Sequence, residues 1–166
     1  MPKKEKTNIN NLINSSACFD LQFRQDAKKD RPNSPTYYRW KTQFIITRPL
    51  SEMNNLQEIL TAIGCGKIHA IQNQARFSVQ NIDEIKNTVV PYLQKNPLQE
   101  TKKKDFDLWA QAVDILHKNK GKNFLSWTKD DFQKLINIQK ESQKYKEKPK
   151  SLKWISTAGD LLKNLK

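Results

Sequence analysis

Asn8-Ile-Asn-Asn-Leu-Ile-Asn-Ser-Ser-Ala-Cys-Phe-Asp-Leu-Gln-Phe-Arg-Gln-Asp26 changes its hydrophobic period in the middle. Ile9, Leu12 and Ile13 recur at helical spacing, whereas Phe19, Leu21 and Phe23 alternate strictly with Asp20, Gln22 and Arg24. The first half therefore reads as a short helix, unusually rich in asparagine. The second half reads as a strand with one apolar face. A helix that runs into a strand with no turn residues between them sets the start of a sheet.

Downstream, Ala27 to Thr36 holds Lys28-Lys-Asp-Arg-Pro-Asn-Ser-Pro35 and reads as a loop. Tyr37 to Thr47 reads as a second strand, with Tyr38, Trp40, Phe44 and Ile46 on one face and Arg39, Lys41, Gln43 and Thr47 on the other. Thr42 and Ile45 blur that pattern. Ser51 is a candidate N-cap for a helix over Glu52 to Ile63, whose stripe is Met53, Leu56, Ile59, Leu60 and Ile63, and Gly64-Cys-Gly66 ends it. Lys67 to Ile71 and Ala75 to Gln80 form a hairpin pattern around Gln72-Asn73-Gln74. Its expected core face is Ile68, Ala70, Ala75, Phe77 and Val79, and its other face Lys67, His69, Arg76 and Ser78. Ile82 to Leu93 is a helix candidate interrupted by Pro91. Lys103 to Lys118 and Thr128 to Tyr145 follow as helices, with Thr128 and Asp131 as an acidic capping box, and a short helix is expected near Asp160 to Leu165. Helix, two strands, helix, two strands, helix is the order of an α+β domain with an antiparallel sheet. The expected division is a domain over 1–145 and a basic tail over 146–166.

The 166 residues carry 30 Lys and Arg against 17 Asp and Glu, a net charge of +13. That balance points to a polyanionic partner, nucleic acid or an anionic surface. No apolar run approaches the roughly 18 residues that span a bilayer, so membrane insertion is not expected. Met1-Pro-Lys-Lys-Glu-Lys leads into polar residues rather than an apolar core, so a signal peptide is not expected. Cys18 and Cys65 are too few for a zinc site and read as half-buried thiols in a reducing compartment. Lysine and asparagine are abundant and the arginines are Arg24, Arg31, Arg39, Arg48 and Arg76, a bias expected of an AT-rich, organellar genome, mitochondrial before plastid.

The stretch over Ile9 to Ala17, followed by Cys18-Phe19, resembles the signature helix and first strand of the LAGLIDADG homing endonuclease family, single-motif branch. Four later stretches resemble the same family in order and spacing. They are Phe44-Ile-Ile-Thr47, Gly64-Cys-Gly-Lys-Ile68, Arg76-Phe-Ser-Val79 and Pro97-Leu-Gln-Glu-Thr-Lys-Lys103. The resemblance implies an αββαββα unit with a saddle-shaped antiparallel sheet, its polar face on nucleic acid. Read from the residues alone, the same face collects Gln22, Arg24, Arg39, Lys41, Gln43, Lys67, His69, Arg76 and Ser78, opposed in sign by Asp20. Lys102, Lys103 and Lys104 are added as candidate phosphate contacts, although a solvated charge run is the ordinary alternative.

The resemblance also implies acids at the foot of the signature helix that hold a divalent metal. Here those positions fall on Ser16 and Asn14, and the small-residue positions on Asn11 and Ala17. Ser16 brings no charge to a metal, and Asp20 lies about 13 Å further along an extended chain. These substitutions lead to four expectations: no catalytic residues, no metal, no cofactor, and a protein that is not an enzyme. Polar residues on the signature helix make a homodimer unexpected. The expected role is an RNA-binding component of an organellar ribosome, touching rRNA and neighbouring ribonucleoprotein subunits. The alternatives are a group I intron maturase and an active homing endonuclease that cuts DNA. His69 reads as a contact on the sheet face, His117 has no catalytic spacing, and Trp40, Trp109 and Trp127 read as core.

Overall fold

The computed structural model of the protein describes residues 2–26, 37–122, 126–146 and 155–163. The loop expected over Ala27 to Thr36 and most of the lysine-rich stretch before the last helix lie outside the described residues, as does the side chain of Tyr38. Helix α1 (Pro2–Ser16) passes without a break into β1 (Ala17–Asp26), and β2 (Tyr37–Pro49) follows. A 3-10 turn over Leu50–Glu52 leads into α2 (Met53–Ile63), then β3 (Lys67–Ile71) and β4 (Gln74–Val79). The helix layer is completed by α3 (Ile82–Glu84), a π-turn over Ile85–Val89, α4 (Val90–Lys95), α5 (Glu100–Lys118), α6 (Lys129–Ser142) and α7 (Ile155–Leu162). The four strands form one antiparallel sheet in the order β1-β2-β4-β3.

Period two decides which face is buried. Phe19, Leu21 and Phe23 on β1, Trp40, Phe44 and Ile46 on β2, and Ala75, Phe77 and Val79 on β4 all turn inward. Two clusters result. One gathers Ile13, Phe19, Phe44, Phe77, Leu56, Ile59 and Trp109 beneath α1 and α2. The other gathers Phe23, Trp40, Phe132, Leu135 and Ala158 beneath α6 and α7. Phe19 binds the first together, with ring centroids 5.6 Å from Phe44, 5.6 Å from Phe106 and 5.1 Å from Trp109. Burying each such ring contributes roughly 1.5–3 kcal/mol.

Thr42 interrupts the apolar pattern because its hydroxyl has two partners inside the core. The Trp109 indole donates to its Oγ1 at 2.6 Å, and that Oγ1 donates to the Asp20 carbonyl at 2.8 Å. A buried indole N–H is thereby satisfied and α5 is pinned to the β1–β2 pair. Three expectations need adjusting. Ala70 is exposed and Ile68 half-buried, because β3 is the edge strand of the sheet. Ser51 does not cap α2; the chain enters that helix through the 3-10 turn, with no side-chain cap bond. Pro91 does not end the helix that begins at Ile82. The π-turn just before it widens the ladder, so the missing N–H and the ring are absorbed. Gly64, at φ 96°, closes α2 with its N–H on the Leu60 carbonyl at 2.8 Å, and Thr128 caps α6 by accepting from the Asp131 N–H at 3.1 Å.

Strand β1 is the other edge, and its outward carbonyls are taken up by side chains of the helix layer. Lys102 Nζ donates to Ala17 O at 2.7 Å, Lys146 Nζ to Phe19 O at 2.7 Å, and Gln139 Nε2 to Leu21 O at 3.1 Å. A covered edge cannot pair with a foreign strand. Lys146 also meets both carboxylate oxygens of Asp105 at 3.2 Å, where Asp105 is 5 % exposed. Burial pushes the Asp105 carboxyl up, and the Lys146 ammonium pulls it back down.

Lys146→Met should strand that carboxylate and cost about 3–5 kcal/mol at neutral pH. A carboxyl raised in the folded state favours folding while protonated; that stability is present below the ordinary carboxylate range and is lost as pH rises through the folded value. The gap in urea midpoint between variant and wild type should therefore narrow on acidification. A gap independent of pH would show that Asp105 is not the group left behind.

Candidate nucleic-acid interface

The strand register brings the polar residues into one array on the face away from the helices. Across β1 and β2, Asp20 lies opposite Gln43, Gln22 opposite Lys41, and Arg24 opposite Arg39. Across β2 and β4, Ile45 meets Ser78 and Thr47 meets Arg76. Across β3 and β4, Lys67 meets Ser78 and His69 meets Arg76. Arg39, Lys67, His69 and Arg76 are exposed, while Gln22, Arg24, Lys41 and Gln43 are half-buried. Arg24 lies directly opposite Arg39, which sets two cations side by side on this face.

The array is not uniformly polar. Ile45 is 9 % exposed and Ser78 6 % exposed, so the part of the face nearest α1, with Cys18 beside them, is small and closed. Asp20 is 5 % exposed and its Oδ2 accepts from Gln22 Nε2 at 2.6 Å and from Gln43 Nε2 at 2.9 Å. Sequence reasoning treated Asp20 as a lone opposing charge and missed this cluster. The signal available was Asp20 and Gln22 two residues apart on one strand face.

Lys102, Lys103 and Lys104 are not brought to the sheet face. Lys102 holds the edge of β1, Lys103 pairs with Asp107 at 3.2 Å, and Lys104 lies 5.8 Å from the centroid of the Tyr145 ring. His117 belongs to the helix layer and pairs with Asp83 at 3.2 Å. Cys18 and Cys65 are half-buried free thiols.

The foot of α1 is a separate polar site. Asn14 Nδ2 donates to Asn10 O at 3.0 Å, and its Oδ1 accepts from the Gln99 N–H at 2.9 Å, which ties α1 to the start of α5. Arg48 Nη1 donates to Ser16 Oγ at 3.2 Å, while its Nε and Nη2 grip the two Glu52 oxygens at 3.0 Å each.

A family model described as LAGLIDADG endonuclease matches residues 12–113. The chain belongs to the LAGLIDADG endonuclease family. A curated relative, a probable intron-encoded DNA endonuclease 1 of Mycosarcoma maydis, is 24 % identical over 109 residues, covering 62 % of this chain and 37 % of that protein. The homing endonuclease I-TnaI superposes with a TM-score of 0.70 at 15 % identity, covering 98 % of this chain and 99 % of that one. I-AabMI bound to uncleaved DNA gives 0.67 at 21 % identity, covering 95 % of this chain and 48 % of that one. The chain thus spans about a third of the curated relative and about half of I-AabMI.

These relatives overturn the expectation that the protein is not an enzyme. The family and the curated relative are both described as endonucleases, and Ser16 and Asn14 do not remove the chain from that company. The residues at the foot of α1 do not fit the divalent metal that a LAGLIDADG signature implies. Ser16 offers a neutral oxygen, and the neighbouring position is already filled by the Arg48 guanidinium, whose charge Glu52 balances.

The bidentate Arg48–Glu52 pair, with side chains 31 % and 28 % exposed, should be worth about 0.5–1 kcal/mol. A double-mutant cycle with Arg48→Met and Glu52→Gln, read by urea denaturation, should return a coupling of that size. Strictly additive effects would mean the pair contributes nothing to the fold.

Proposed function

We propose that this chain is the DNA-binding unit of a LAGLIDADG-type endonuclease, and that it holds a duplex against the polar face of its sheet. The carrying observation is the register that sets Arg24, Arg39, Lys41, Lys67 and Arg76 on one face of four strands. Cations so arranged make charge-assisted contacts to phosphates and fix the duplex in place. Gln22 and Gln43, between them, are within the array and carry the donor and acceptor pair needed at base edges. Duplex DNA is favoured as the ligand because the curated relative is named a DNA endonuclease and I-AabMI was solved on DNA. Strand cleavage is proposed as the activity that this duplex contact serves.

A second reading is structured RNA, held by the same face within an organellar ribonucleoprotein. The observation in its favour is charge: the five cations of the face are a small share of the 30 Lys and Arg on a chain of net +13. An extended basic surface suits a folded RNA that touches the protein from several sides.

Binding of mixed-sequence duplex DNA and of a structured RNA, measured by fluorescence anisotropy across a salt series, tests both. Affinity for duplex should fall by about 0.9 log units per log unit of salt for each phosphate contact. Replacing Arg39, Lys41 and Arg76 together with glutamine should flatten that slope by two to three such contacts and leave the fold intact. Indifference to the triple substitution, or no salt-dependent duplex affinity, would overturn the proposal. Tighter binding to RNA than to duplex would favour the second reading.

A further inference from the structure

We propose that Asp20 determines which bases the sheet face reads, by locking the amides of Gln22 and Gln43 in one orientation. This rests on the reading of that face as a duplex-binding surface. An acid amid cations that face phosphate weakens the attraction, so its presence calls for another role. The geometry supplies one. Asp20 is 5 % exposed, and a single carboxylate oxygen accepts from both glutamines, at 2.6 Å and 2.9 Å.

An ionised carboxylate only accepts. Turning either amide over would set its Oε1 against the Asp20 oxygen, a repulsive contact, so each is held with Nε2 toward Asp20. What each amide then has left is its second N–H beside its carbonyl oxygen. That pair matches the N7 acceptor and N6 amino group of adenine. An unclamped glutamine would give up rotamer freedom on binding and would offer its two ends interchangeably to other bases. Because Gln22 lies opposite Lys41 and Asp20 opposite Gln43, the two glutamines are diagonal neighbours on adjacent strands. Their Nε2 atoms lie 2.6 Å and 2.9 Å from the same oxygen, so the two amides are at most about 5.5 Å apart, less than two base steps of about 3.4 Å. The site they read is therefore a pair of neighbouring A·T base pairs, with Asp20 as the positioning residue for both.

Selection from a random duplex library, followed by sequencing, should be run on the wild type and on Gln22→Ala, Gln43→Ala and Asp20→Ala. Each glutamine variant should erase the preference at one base pair and so locate it. Asp20→Ala, which leaves no acceptor for either amide, should lower both preferences together, from about tenfold each to within about twofold. Its affinity for unselected duplex should rise, because an anion has left the face. Unchanged preferences in Asp20→Ala, or a uniform loss of affinity for every duplex, would overturn the proposal. A wild type that binds no duplex would overturn the functional reading itself, an outcome distinguishable because it appears before any variant is made. Should Asp20→Ala not fold, hydrogen exchange in the unaltered protein decides. The side-chain amide protons of Gln22 and Gln43 should exchange more slowly than those of the exposed Gln57 and Gln94, and equal rates would sink the idea.

Discussion

The outer edge of β1 is the constraint on which the rest of the structure depends. Its carbonyls at Ala17, Phe19 and Leu21 point away from β2 and would be left without partners under the helix layer. Lys102 from α5, Gln139 from α6 and Lys146 beyond α6 each reach back to one of them. Three contacts at alternate residues thus set where α5, α6 and the chain after α6 lie against the sheet. Lys146 does so while balancing Asp105, so one ammonium serves both the edge strand and a buried carboxylate. Behind that edge, the bond from Trp109 to Thr42 fixes the depth at which α5 lies.

The sheet divides its labour by the two-residue period. The inward residues carry the burial energy, and the outward ones are free to work against folding. Arg24 opposite Arg39 is such a case: two cations occupy a cross-strand pair in which, taken alone, an opposite charge is the more stable choice. Local stability given up for positive charge is what the proposed phosphate-binding face would require, and the aromatic core around Phe19 offsets it.

At the foot of α1 the hydroxyl of Ser16 stands where the family resemblance implies an acid, and a guanidinium reaches it. The C-terminal end of a helix favours cations, and Arg48 supplies one from β2 because the last turn of α1 holds no basic residue. Asn14, on the same turn, spends its amide within the chain, on Asn10 and Gln99. The polar character of α1 is therefore satisfied internally at this position, where unpaired amides would have been costly to bury.

Alternation along Cys18 to Arg24 and Tyr37 to Thr47 was enough to assign the faces of β1 and β2, because side-chain direction in a strand follows from backbone geometry alone. Gly64 as a helix end and Thr128 as a cap were legible for the same local reason. The order of elements and the signature stretch together identified the fold and the family. Sequence could not show that Lys102 leaves its charge run to hold the β1 edge, that Ala70 is exposed on an edge strand, or that Pro91 lies within a continuous helix. Nor could it show that Asp20 is a buried clamp. Each of those depends on which residue from a distant segment arrives beside it, and the register and packing of the assembled sheet and helices alone decide that.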